Sequence, residues 1–137
     1  MFTEIEIKEI YNKAYSEFNK KYKINCDVKF VNEEEFMNVA KLSNIVRNNM
    51  LEGIPVLVGA LVDHEGDKDV ILLSVDILNS ISAGNKLFVK ALIIHEFYHV
   101  LFKLKVEKDT LKEDEKSENR VKTAMKKDFP KLANCLI

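Results

Sequence analysis

The hydrophobic pattern divides the chain into segments of two different periods. Over residues 3–22, Ile7, Ile10, Tyr11, Ala14, Tyr15, Phe18 and Tyr22 recur at three- and four-residue spacing. That spacing predicts an amphipathic helix with one apolar stripe. Thr3 followed by Glu6 is a capping-box pattern at its start. The period then changes to two. In residues 24–31, Ile24, Cys26, Val28 and Phe30 alternate with polar neighbours, as in a half-buried strand. Asn32 with Glu35 marks a second helix start. Phe36, Val39, Ala40, Leu42, Ile45 and Val46 carry helical spacing on to about Leu51, where Gly53 can end it.

Residues 55–62 (PVLVGALV) and 69–75 (DVILLSV) are short, nearly unbroken apolar runs. Such runs predict strands buried on both faces. The polar residues 63–68 between them predict a turn, and therefore a hairpin, in which His64 and Glu65 are solvated. Asp76 is the expected cap of a short helical turn reaching Ile81, and Asn85 the expected N-cap of a helix over residues 86–105. That helix is apolar nearly all round, which predicts burial on most sides. Residues 106–116 read as a charged connection. A last helix is expected over residues 113–127, with Val121, Ala124 and Met125 as a thin apolar stripe, ended by Asp128-Phe129-Pro130. The expected architecture is α+β: a small twisted mixed sheet with N-terminal helices, a buried helix and a C-terminal helix closing a cleft, all in one domain spanning residues 1–137.

Composition narrows the function classes. A chain of 137 residues, 47% hydrophobic, is long enough for one real core. A net charge of −1 lacks the basic footprint of a nucleic-acid or anionic-membrane binder. No apolar run reaches the roughly 18 residues of a membrane span. The acidic N-terminus has no signal-peptide pattern, so a cytoplasmic protein is expected. Cys26 and Cys135, far apart in sequence, read as two reduced thiols.

The chemistry sits in the most apolar helix. His95-Glu96-Phe97-Tyr98-His99 is an H-E-x-x-H motif. Residues four apart on a helix share a face, so His95 and His99 can aim two imidazoles at one point, with Glu96 on the flank. Two histidines and a glutamate buried in such a helix are costly without partners. A divalent metal, with zinc as the expected cofactor, supplies one. A catalytic zinc site takes three protein ligands and keeps one position for water. No histidine follows His99, so the third ligand is sought among the carboxylates after it. Glu107 and Asp109 are too close for the chain to reverse direction, and Glu113 and Asp114 read as solvated. Glu118 shares the stripe of Val121 and Met125 and is chosen, with Glu115, one turn earlier, as the second candidate. Zinc lowers the pKa of bound water to about 7. Glu96 is then the general base that takes the proton and returns it to a leaving amine. The expected function is zinc-dependent hydrolysis of peptide bonds in a protein or peptide substrate, with the strand over residues 70–75 pairing with an extended peptide. The alternative is a non-catalytic or latent zinc-binding regulatory or interaction module on the same fold.

With these residues the chain resembles the small single-domain zincin metallopeptidases of the gluzincin type, in particular the minigluzincins. The resemblance covers mainly residues 56–125, and its one sharp motif is His95 to His99. It implies His95, His99 and Glu118 as metal ligands and Glu96 as general base and acid. Eighteen residues separate His99 from Glu118, a spacing found in some gluzincins. Two positions depart from the family pattern: Lys122 stands where an aspartate often follows the ligand glutamate, and Ser117 precedes Glu118 where an asparagine is common. Minigluzincins can be latent, with a segment of the chain in the cleft. By resemblance, Cys135-Leu136-Ile137 would be that segment here.

Overall fold

A computed structural model of the chain describes residues 1–40, 59–65, 68–102 and 111–136, and for residues 64, 65 and 111–117 the backbone alone. The first helix, α1 (Glu4–Asn19), starts as its capping box requires. Thr3 Oγ1 accepts from Glu6 N at 3.2 Å, and Thr3 N donates to Glu6 Oε1 at 3.1 Å. Strand β1 (Cys26–Phe30) buries Cys26 and leaves Asp27 and Lys29 exposed, the alternation its sequence carries. Helix α2 (Glu33–Ala40) opens with Asn32 Oδ1 accepting from Glu35 N at 2.8 Å. Its expected continuation to Leu51 and Gly53 lies outside the described residues, as do residues 55–58 of the next expected strand.

Strands β2 (Ala60–Glu65) and β3 (Lys68–Leu73) form the expected antiparallel hairpin, but the turn is shorter than its polarity suggested. Asp63, His64 and Glu65 belong to β2 and Lys68 to β3, with Glu65 opposite Lys68 and His64 opposite Asp69. The ladder satisfies backbone groups whatever the side chains, so polar residues can extend a strand into solvent. The sheet order is β1-β3-β2, with β1 parallel and β2 antiparallel to β3. The expected mixed sheet is therefore present. A second correction follows from this order. β3 is central and both its edges are taken by β1 and β2, so it has no free edge to offer a peptide.

The central position also explains the unbroken apolar run of β3. Ile71 and Leu73 enter a large core with α1 and the motif helix, while Val70 and Leu72 join Phe36, Ala40, Leu61 and Ile77 in a smaller core on the other face. Helix α3 (Val75–Ser82) is capped by Ser74, whose Oγ accepts from Ile77 N at 3.4 Å, and not by Asp76 as expected. Asp76 lies in the first turn instead. The chain leaves α3 through Ala83 (φ 50°) and Gly84 (φ 78°) in the left-handed region.

Helix α4 (Lys86–Leu101) carries the motif and is capped by Asn85, whose Oδ1 accepts from Leu87 N and Phe88 N. The helix ends at Phe102; residues 103–105 of the expected helix lie outside the described ones. Helix α5 (Leu111–Asp128) begins earlier than its apolar stripe indicated. A further helix, α6 (Pro130–Asn134), was not expected. Proline at a first helical position lacks only a donor that would be unpaired anyway, so Pro130 starts this helix as well as ending the previous one. Helix α4 is the hub, lying against α1, α3, α5, α6 and the sheet. No helix among the described residues is long and apolar enough to cross a membrane.

The junction of α1 and α4 is aromatic. The ring of Phe97 lies 5.5 Å from Tyr11, 5.8 Å from Tyr15 and 5.4 Å from Phe18, centroid to centroid. Phe97 is fully buried. Its truncation leaves a cavity between two helices that cannot close independently. Phe97→Ala is expected to cost about 3–5 kcal/mol of stability, read as a lower urea midpoint; a loss under about 1 kcal/mol would show that this junction is not the core.

Candidate metal centre

Helix α4 holds His95 and His99 one turn apart with ring centroids 5.1 Å from each other. Their Nε2 atoms converge on one carboxylate. His95 Nε2 lies 3.0 Å from Glu118 Oε2, and His99 Nε2 lies 2.8 Å from Glu118 Oε1. One ligand atom from each of the three residues falls within 4.8 Å of the other two, a spacing that could hold a metal ion. The two histidine side chains keep 14% and 13% of their surface and Glu118 keeps 35%, so the group is sheltered and Glu118 is its most exposed member.

The local sequence explains the convergence. Glu118 precedes Val121 by three residues and Met125 by seven, both buried against α4. A residue at that helical spacing faces the same neighbour. Arg120 adds a cation–π contact, with Cζ 3.9 Å from the ring centroid of Phe102 at the end of α4. The side chain of Glu115, the second candidate, lies outside the described ones, as do those of Glu113, Asp114, His64 and Glu65. Glu107 and Asp109 lie outside the described residues altogether. In the expected tail segment, Cys135 Sγ donates to Lys131 O at 3.5 Å and Leu136 packs on the main core, while Ile137 lies outside the described residues. Cys26 is buried beside Tyr11 Oη, and both cysteines are free thiols.

The donor set, two imidazole nitrogens and one carboxylate, is one that suits a divalent metal. With Glu118 as a carboxylate, its two oxygens are the acceptors facing the two Nε2 atoms. His95 Nδ1 is buried and has no hydrogen-bond partner among the described residues. Metal-ligating histidines usually tie their second nitrogen to an acceptor; His95 lacks that tie here.

The two carboxylates of the site are pushed in opposite directions. Burial works to raise the Glu118 carboxyl, but hydrogen bonds from His95 and His99 outweigh it and hold its pKa well below the ordinary range. Burial pushes the Glu96 carboxyl above its ordinary value, against the pull of His99 and His95. A carboxyl with a raised pKa beside a carboxylate with a lowered one is the pattern that separates base from ligand.

No protein-family model, no curated protein and no solved structure matches the chain.

One part of the surroundings was not read from the sequence. Tyr98 and Tyr22 both donate to Asp128 Oδ2, Tyr98 at 2.8 Å. Tyr98 is fully buried with its ring edge-on to Phe18 at 4.9 Å. The available signal was Asp128 itself, an acidic residue in the last turn of a helix, where the macrodipole disfavours one.

The pKa directions give a two-sided prediction for chelator-treated protein. The folded-state pKa of Glu118 is depressed, so its contribution to stability is present above the unfolded value of about 4.3 and lost as pH falls. The folded-state pKa of Glu96 is raised, so Glu96 favours folding most below about pH 4.3 and penalises it as pH rises. Urea unfolding from pH 2 to 8 should show Glu118→Gln less stable than wild type throughout the range above about pH 4.3, the difference shrinking only below it, and Glu96→Gln more stable near neutrality, with its difference shrinking towards pH 4. Parallel curves for either variant and wild type would contradict the assigned directions.

Proposed function

We propose that the protein is a metal-dependent hydrolase of peptide bonds, with His95, His99 and Glu118 holding a zinc ion and Glu96 as general base and acid. The observation that carries this reading is the convergence of three ligand atoms from two helices, with a glutamate of raised pKa next to them on α4. The approach of both imidazole Nε2 atoms to the two oxygens of one carboxylate distant in sequence supports the reading.

When bound, the ion supplies Lewis acidity and lowers the pKa of its water towards about 7. The chain's residues do the rest. The i, i+4 spacing of His95 and His99 on a buried helix fixes two nitrogens rigidly. Glu118 closes the set from α5 and leaves its outer side to solvent, where substrate enters. Glu96 is held in a poorly solvated position that favours its protonated form, so it can accept a proton from the attacking water and return it to the departing amine. The bland side of the arrangement is structural. Tyr98, inside the motif, is occupied with Asp128 and the aromatic core and takes no part in proton transfer.

The test separates an enzyme from a zinc-holding module. Purified protein is analysed for zinc and assayed on an unstructured protein substrate. Glu96→Gln is expected to keep its zinc and lose about 10²–10⁴-fold in cleavage rate, and a strong chelator should abolish cleavage by wild type. Zinc held at one equivalent without cleavage by wild type would point to the non-catalytic module instead.

A further inference from the structure

Glu118 reaches the histidines from α5, whose described side chains give little apolar grip. Among residues 118–128 of α5 only Val121 and Met125 are buried. Two buried side chains on one stripe set which face of α5 meets α4, but leave its tilt and its sliding along the partner weakly fixed. A second polar contact at the far end of α5 supplies what they lack. Asp128 is ten residues beyond Glu118, about 15 Å along the axis. Its Oδ2 accepts hydrogen bonds from two phenols: Tyr98, one residue before His99 on α4, and Tyr22, in the bend that follows α1.

We propose that Asp128 is a positioning residue for the metal centre: by joining Tyr98 and Tyr22 it fixes the tilt and register of α5, and so sets where the Glu118 carboxylate lies relative to His95 and His99. The inference rests on the metal-site reading above. Three observations support it. Asp128 stands at the C-terminal end of α5, where the helix dipole disfavours a negative charge, so its presence there calls for specific partners. Tyr98 is fully buried and lies between the two histidines in sequence, so a contact to its hydroxyl is a contact to the scaffold of the site itself. A carboxylate accepting from two fixed phenols is also directional in a way that an apolar contact is not.

The test compares wild type with Asp128→Ala, Asp128→Asn and Tyr22→Phe. Zinc affinity is read at 25 °C by competition with a chromophoric chelator, and geometry from the visible absorption of the cobalt(II)-substituted protein. Folding is checked separately by circular dichroism and thermal melting. Asp128→Ala should weaken zinc binding about tenfold, in the range typical of groups that orient metal ligands, and alter the cobalt spectrum. Asp128→Asn keeps an acceptor oxygen for both phenols and should restore affinity to within about threefold of wild type. Tyr22 is on neither helix of the site, so Tyr22→Phe gives a milder loss of the same kind, and it carries the test if Asp128→Ala does not fold. A merely structural contact would lower the melting temperature and leave affinity and spectrum unchanged; folded variants that behave so would overturn the proposal alone. Absence of zinc binding by wild type would overturn it together with the metal-site reading.

Discussion

The site depends on one interhelical contact, the Glu118 carboxylate bridging the Nε2 atoms of His95 and His99. The histidines alone are fixed by the pitch of α4, and any helix with that spacing would place them similarly. The third group is different. It arrives from another helix after a long stretch of chain, and only the docking of α5 brings its two oxygens to 3.0 and 2.8 Å from the rings. Burial of Val121 and Met125 and the stacking of Arg120 on Phe102 hold the near part of that helix. The centre is thus a property of how two helices pack, and not of a local motif.

The scaffold around α4 is built to keep that helix still. Its N-terminus is closed by Asn85, its aromatic side is locked to α1 through Phe97, and its remaining sides meet the sheet and the C-terminal helices. A helix enclosed this way can carry polar groups only if they satisfy one another or a ligand. The His–Glu–His arrangement does so in part, since both Nε2 atoms meet Glu118 while His95 Nδ1 has no partner among the described residues. Glu96, in the same surroundings, is kept towards its protonated form.

Much of this was legible in the residues because it follows from local periodicity. The capping box at Thr3, the alternation through Cys26 and Phe30, the N-cap at Asn85 and the stripe containing Glu118 are each written within a few positions. What was misread depends on contacts distant in sequence. The strand order places β3 in the middle, which no property of its own segment reveals, and backbone pairing carries Asp63 and Lys68 into strands despite their polarity. Ser74 outcompetes Asp76 as a cap because the strand ends at Leu73. The link from Tyr22 and Tyr98 to Asp128 joins three segments far apart in the chain, and only a helix-end charge in an unfavourable place hinted at it.

The most direct test of the central claim is X-ray absorption at the zinc edge of the zinc-loaded protein, with metal content measured on the same sample. The account predicts one zinc per chain in a shell of nitrogen and oxygen only, at about 2.0–2.1 Å, with two imidazole contributions of which one is lost in His99→Ala. A chain that takes up no zinc, or a shell containing sulfur at about 2.3 Å, would contradict it.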